Sequence, residues 1–211
     1  MPAEPILKVE NIAFERNDSL LFSPVSFTLD IGEALHLEGA NGSGKTTIFR
    51  LVTRLLEPSQ GNILYCGESI DKCRYDYLAN LLFIGHQSAL KGMLTVTENL
   101  RWLSPATTST QKITDALQAM GLQGYGDVHC YQLSAGQQRR VALARLMTTQ
   151  ATLWYLDEPF AALDKQGVDH IESLMQAHLQ QGGSILFSSH QDLTKIVARK
   201  YRVLGRGATD E

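Results

Sequence analysis

Short apolar runs alternate with stretches in which apolar residues recur at helical spacing. Ile12-Ala13-Phe14 and Val25-Ser26-Phe27-Thr28-Leu29 read as β-type segments, and Ala34-Leu35-His36-Leu37 as a buried strand running into a glycine-rich turn. Beyond the turn, Ile48, Leu51, Val52 and Leu55 fall at i, i+3, i+4 and i+7, one face of a helix. Arg50 and Arg54 occupy its other side, and Pro58 is expected to close it. The continuous apolar runs at 153–156 and 184–187 predict strands covered on both faces. Between them Ile171, Leu174, Met175 and His178 mark a helix ended by Gly182-Gly183.

A succession of such βα units predicts an α/β fold, a mostly parallel sheet flanked by helices. Residues 95–146 differ: they read as two or three helices with polar breaks at Ser104-Pro105 and at 121–126, without a convincing strand. The expectation is one domain over 1–211, with an α/β core from 1–94 and 147–211 and an inserted helical subdomain at 95–146.

Composition narrows the class. With 44% hydrophobic and 19% charged residues in 211, disordered and fibrous chains are excluded. The net charge of −3 argues against nucleic acid as a partner, because phosphate binding wants a basic surface. No apolar run is long enough to span a membrane; the uncharged stretch 77–90 carries Asn80, Gly85, His86, Gln87 and Ser88. The N-terminus shows no secretory signal, and Cys66, Cys73 and Cys130 lack C-x-x-C spacing, so reduced thiols in a soluble intracellular protein are expected.

The sharpest chemical signal is Gly39-Ala40-Asn41-Gly42-Ser43-Gly44-Lys45-Thr46, a G-x-x-x-x-G-K-[ST] loop between a strand and an amphipathic helix. Glycines let backbone N–H groups turn inward around phosphate oxygens, and the helix start presents its positive end to the same place. Gly39, Asn41, Gly42, Ser43, Gly44, Lys45, Thr46 and Thr47 are therefore the candidate nucleotide ligands. Lys45 would reach the β- and γ-phosphates and the Thr46 hydroxyl would ligate Mg²⁺, so ATP and Mg²⁺ are the expected cofactors. Asp157-Glu158 ends the apolar run Leu153-Trp154-Tyr155-Leu156, where α/β sheets place their chemistry. Asp157 is the expected metal partner, directly or through water, and Glu158 the group that orients or deprotonates the attacking water.

Kinases, GTPases, helicases and transport ATPases share these parts. Leu133-Ser134-Ala135-Gly136-Gln137-Gln138-Arg139-Arg140 separates them, because it resembles the L-S-G-G-Q signature of ABC-type ATPases, with Ala135 at the third position. Physically, Ser134 and the Gly136 N–H open a helix and form a second anion site, redundant within one chain but not between two chains packed head to tail. The resemblance covers 7–206 and implies an ABC-type nucleotide-binding domain with an N-terminal antiparallel β subdomain. It implies that Gln87 is the Q-loop glutamine at the metal or its water, and that His190 is the switch histidine on the γ-phosphate. It further implies that Asp164 ends the D-loop, that Ser134, Gly136 and Gln137 close on the partner copy's nucleotide, and that Phe14 stacks on adenine.

Within these ATPases, Leu82-Phe83-Ile84-Gly85-His86-Gln87, Leu94-Thr95-Val96-Thr97-Glu98-Asn99-Leu100 and the stretch 132–146 resemble the CcmA family of the cytochrome c maturation, or haem exporter, system. That resemblance implies a peripheral subunit on the cytoplasmic face of the bacterial inner membrane. It would sit beneath a CcmB-like membrane subunit with CcmC and CcmD, its hydrolysis serving haem export or release of the haem-loaded chaperone CcmE. Gln87, Leu90, Met93, Leu94 and Trp102 are candidates for the surface facing that partner, set against ordinary core packing. No C-x-x-C-H and no ligand-spaced His/Cys cluster is present, so no direct haem site is expected. Another ABC exporter and a soluble, non-transport ABC ATPase are the alternatives.

Overall fold

The computed structural model describes residues 4–16 and 19–205. Two sheets organise them. β1 (Leu7–Ala13), β2 (Val25–Leu29), β4 (Gln60–Tyr65) and β5 (Glu68–Ser69) form an antiparallel sheet in the order β2-β1-β4-β5. β3 (Ala34–Glu38), β6 (Leu81–Ile84), β7 (Leu153–Asp157), β8 (Ser184–Ser188) and β9 (Arg199–Arg202) form a parallel sheet in the order β6-β7-β8-β3-β9.

Every residue of β7 and β8 is buried, as expected of strands covered on both faces. Period-two alternation then splits the core. Trp154, Leu156, Ile185 and Phe187 pack with the helices α3 (Val96–Leu103), α4 (Thr110–Ala119), α5 (Ala135–Thr148) and α6 (Lys165–Gln180). Leu153, Tyr155 and Leu186 face the opposite layer, with Phe49 of α1 (Lys45–Val52), Tyr77 of α2 (Arg74–Ala79) and the antiparallel sheet. Tyr77 Oη donates to the Val52 carbonyl and lies 2.9 Å from Tyr155 Oη, so neither of these two buried hydroxyls is orphaned.

Between β6 and β7 the described residues form three α-helices and a 3-10 turn at Cys130–Gln132. Thr95 with Glu98 and Ser134 with Gln137 build reciprocal capping boxes at the starts of α3 and α5. Asn99, fully buried, donates its amide to the Lys91, Leu94 and Thr95 carbonyls and accepts from the Lys91 N–H, which fixes the approach to α3. No helix among the described residues is long and apolar enough to cross a membrane.

Two expectations change. α1 ends at Val52 rather than near Pro58: the Thr53 hydroxyl bonds back to the Phe49 carbonyl and Arg54 turns left-handed at φ 57°. Leu55, expected on the buried face, is consequently 63% exposed. β4, β5 and β9 escape the apolar pattern because they are polar edge or near-edge strands, β9 being held by the ion pairs Lys200–Glu38 and Arg199–Glu33.

The parallel register carries the consequence. The carboxyl ends of β3, β6, β7 and β8 lie on one edge of the sheet and deliver the turn 39–44, Gly85-His86-Gln87, Asp157-Glu158 and Ser188-Ser189-His190 to a common rim.

Candidate nucleotide-binding site

The glycine loop is shaped by two positions that no side chain could occupy. Gly44, at φ 104°, caps α1, and a Cβ there would meet Phe22 Cδ1 at 2.5 Å. Gly39, at φ 153°, would drive a Cβ to 2.8 Å from the Val203 carbonyl oxygen. Gly44 offers no capping side chain, so the first amides of α1 are left open to an outside acceptor. Lys45 folds over the loop, 8% exposed, its Nζ donating to the Gly39 carbonyl at 2.6 Å and the Ala40 carbonyl at 3.1 Å.

Asp157 is 2% exposed and accepts two hydroxyls, Thr46 Oγ1 on Oδ2 and Ser188 Oγ on Oδ1, both at 2.9 Å. Thr46 and Asp157 thus present two hard oxygens side by side, a donor set that fits Mg²⁺ completed by phosphate oxygens and water. The neighbouring Glu158 is held in an uncommon backbone state, φ 52°. Its N–H donates to Ser188 Oγ at 3.1 Å and its carbonyl accepts from Arg139 Nη2 at 2.6 Å. Its Oε1 is buried without a hydrogen-bond partner; His190 Nε2 stands 3.4 Å away, close enough for attraction but not in hydrogen-bonding geometry. Lys45, Thr46, Thr47, Asp157, Glu158 and His190 together line a cleft of about 590 Å³, with Asn41, Gly42, Gly44 and His86.

Sequence reasoning assigned no role to Arg139. It is 5% exposed on α5 and donates to three carbonyls, Gly85 at 2.6 Å, Asp157 at 3.0 Å and Glu158 at 2.6 Å. Burial lowers its pKa, while Asp157 and Glu158 oppose that shift. One guanidinium therefore joins α5 to the ends of β6 and β7. Its partners lie 54, 18 and 19 residues away, so only the doubled Arg139-Arg140 offered a local hint. Arg139→Met leaves three buried or part-buried carbonyls short of a charged donor. It is expected to cost about 3 kcal/mol, a Tm drop of roughly 6–12 °C for a chain this size, read by thermal melting.

The remaining candidates are more dispersed. Ser134 and Ala135 are exposed, and Gly136 and Gln137 half-buried, at the start of α5, and none of 134–137 lines the cleft. Ser134 Oγ accepts from the Gln137 N–H at 3.3 Å, and Gln137 Oε1 accepts from the Ser134 N–H at 2.9 Å. Asp164 caps α6, accepting from Gly167 N–H at 2.8 Å. Gln87 is exposed beyond β6, outside the cleft, where its neighbour His86 takes a lining position. Phe14 lies just past β1, half-buried against the core, and lines neither this cleft nor the adjoining one of about 550 Å³. That second cleft is walled instead by Arg16, Leu20, Leu21 and Arg202 around Asn41 and Gly42. Met93 and Trp102 are 79% and 68% exposed, Lys91 Nζ resting 3.9 Å above the Trp102 ring, whereas Leu90 and Leu94 are half-buried.

A parallel sheet with this loop, this acidic strand end and a capped signature helix defines an ATP-binding cassette. The ABC transporter family matches residues 22–161, and the chain belongs to that family. Within it, the chain is 45% identical over 198 residues to the cytochrome c biogenesis ATP-binding export protein CcmA of Escherichia coli O157:H7, covering 94% of this chain and 95% of that protein. It is 46% identical over 193 residues to CcmA of Pseudomonas putida, covering 90% and 91%. Among solved structures, the ATP-binding subunit of an ABC transporter superposes with TM-score 0.78 at 26% identity, covering 88% of this chain and 79% of that one. A dimeric post-hydrolysis ATP-binding cassette, MJ0796 bound to ADP and Pi, shares the fold at TM-score 0.76 and 22% identity, covering 88% of each.

Proposed function

We propose that this chain is the ATP-hydrolysing subunit of a cytochrome c biogenesis exporter, acting as a head-to-tail dimer beneath a membrane-embedded CcmB-like partner. The observation that supports it most is the meeting of Lys45, Thr46, Asp157, the unpartnered Glu158 Oε1 and His190 in one cleft. The loop amides and Lys45 bind the phosphates of ATP. Thr46 and Asp157 would hold Mg²⁺, which when bound would supply charge neutralisation to the phosphates. Among the described residues no three His, Cys, Asp or Glu cluster to cage a metal, in keeping with a cation shared between two side chains and the substrate. Glu158 takes the proton of the water that attacks the γ-phosphorus, His190 contacts the γ-phosphate, and ADP and phosphate leave. Gln87 reports the state of the site to the membrane partner, and Asp164 lies at the dimer seam.

The exposed start of α5 supports a role between subunits: Ser134 and Gly136 meet the nucleotide of the second copy, not their own. Met93 and Trp102 offer apolar surface to the membrane subunit, and CcmC, CcmD and the chaperone CcmE complete the system. The chain is the motor on the cytoplasmic face and does not itself hold haem. Arg16, Leu20 and Leu21, in place of Phe14, wall the space available to the base.

Ser134→Asp tests this reading. Aspartate caps a helix as well as serine, so α5 and the fold persist, but its charge opposes the facing phosphate. Hydrolysis is expected to fall by about 100-fold, and the ATP-bound dimer that Glu158→Gln accumulates on gel filtration is expected to be lost when Ser134→Asp is added to it. Normal turnover by Ser134→Asp would remove the between-subunit role of the signature.

A further inference from the structure

His36 is an odd residue for its place. It sits in β3 between Leu35 and Leu37, both fully buried, with Phe187 of β8 and Lys200 of β9 as its register partners. Its ring lies flat on Phe187, centroids 4.6 Å apart and planes 7° from parallel, which turns its edge toward the end of β8. There Nε2 stands 3.1 Å from the Ser189 carbonyl oxygen. Nδ1 is 3.6 Å from Glu38 Oε1, an oxygen that Lys200 Nζ already holds at 2.6 Å. Burial keeps the imidazole below its ordinary pKa and therefore neutral at pH 7. A neutral ring has one proton for two acceptors, and the shorter contact, to the carbonyl, is where it belongs.

That carbonyl belongs to the peptide joining Ser189 to His190. The His190 side chain is 57% exposed and gains little orientation from packing, so its backbone must aim it. The segment 189–192 itself lines a cavity of about 370 Å³, with His36, Glu38 and Lys200 also in its wall, which leaves room for 189–192 to shift. We propose that His36 is a positioning residue, its Nε2–H latching the Ser189 carbonyl so that His190 faces Glu158 and the γ-phosphate, and so tying the strand that carries the phosphate loop to the switch segment. This rests on the reading of His190 as a group acting in hydrolysis.

Two substitutions separate the bond from the stack. His36→Phe keeps a flat ring on Phe187 and loses the N–H; His36→Gln loses the ring and keeps an amide N–H able to reach the carbonyl. Both, with His190→Ala, are assayed for ATP hydrolysis on the chain purified from solubilised membranes with whatever accompanies it, alongside thermal melting. His36→Phe is expected to lower kcat by about tenfold with KM for ATP within about twofold, and His36→Gln to recover to within about threefold of wild type. Unchanged kcat in His36→Phe, or a loss in His36→Gln as deep as in His36→Phe, overturns the proposal. If His190→Ala alone retains full kcat, the failure lies in the reading of His190, which is thereby told apart from a failure of the latch.

Discussion

Glu158→Gln is expected to lower steady-state ATP hydrolysis by about 1,000-fold while leaving ATP affinity within about threefold of wild type. The split follows from how the residue is held. Its φ of 52° is fixed by backbone groups, the N–H on Ser188 Oγ and the carbonyl under Arg139, not by the carboxylate. An isosteric amide therefore occupies the same place, and the cradle and the Thr46–Asp157 pair stay intact. What disappears is the one buried carboxylate oxygen of the pair 157–158 that has no partner and is free to accept a proton. Losing its charge also relieves repulsion with the γ-phosphate, so the ATP-bound dimer should accumulate on gel filtration where wild type does not. In cells the same variant is expected to stop c-type cytochrome assembly. Phosphate release within fivefold of wild type would assign the proton to another group.

The parts of this molecule that could be read from its sequence are those whose physics is local. β7 and β8 are spelled as unbroken apolar runs because both faces are covered, and the chemistry follows them because parallel strands end on a common rim. The loop 39–44 is legible because only glycine tolerates positions 39 and 44. What was hidden depends on distant partners. The end of α1 turns on one hydroxyl at Thr53 and a left-handed Arg54, features with no pattern of their own. β9, Arg199-Lys200-Tyr201-Arg202, is mostly basic and becomes a strand only because β3, with Glu38 in it and Glu33 just before it, awaits it. The second cleft is walled by Arg16, Leu20 and Leu21, and the bond from the Leu21 N–H to the Phe14 carbonyl that helps place them has no pattern of its own in the sequence. Arg139 is the clearest case, since its three acceptors lie at or just past the ends of two strands and none is near in sequence.

Lys45→Ala carries the other large expectation, a loss of ATP affinity of at least about 100-fold, roughly 3 kcal/mol, in a nucleotide titration. Among the described residues lining the cleft, Lys45 is the only Lys or Arg, so no other basic side chain of that cleft stands ready to replace it at the phosphates. In the structure its ammonium is held by the Gly39 and Ala40 carbonyls, neutral acceptors that a phosphate oxygen outcompetes because the bond is then charged at both ends. Truncation frees those two carbonyls, but the loop faces an open cleft where water can serve them, and alanine is a good helix former at the first position of α1. The melting temperature should therefore stay within about 3 °C of wild type while binding is lost, which separates a phosphate ligand from a structural one. Retained affinity in a folded Lys45→Ala chain would mean that the backbone amides alone carry the nucleotide, and the cradle would have to be redrawn around the α1 terminus without its lysine.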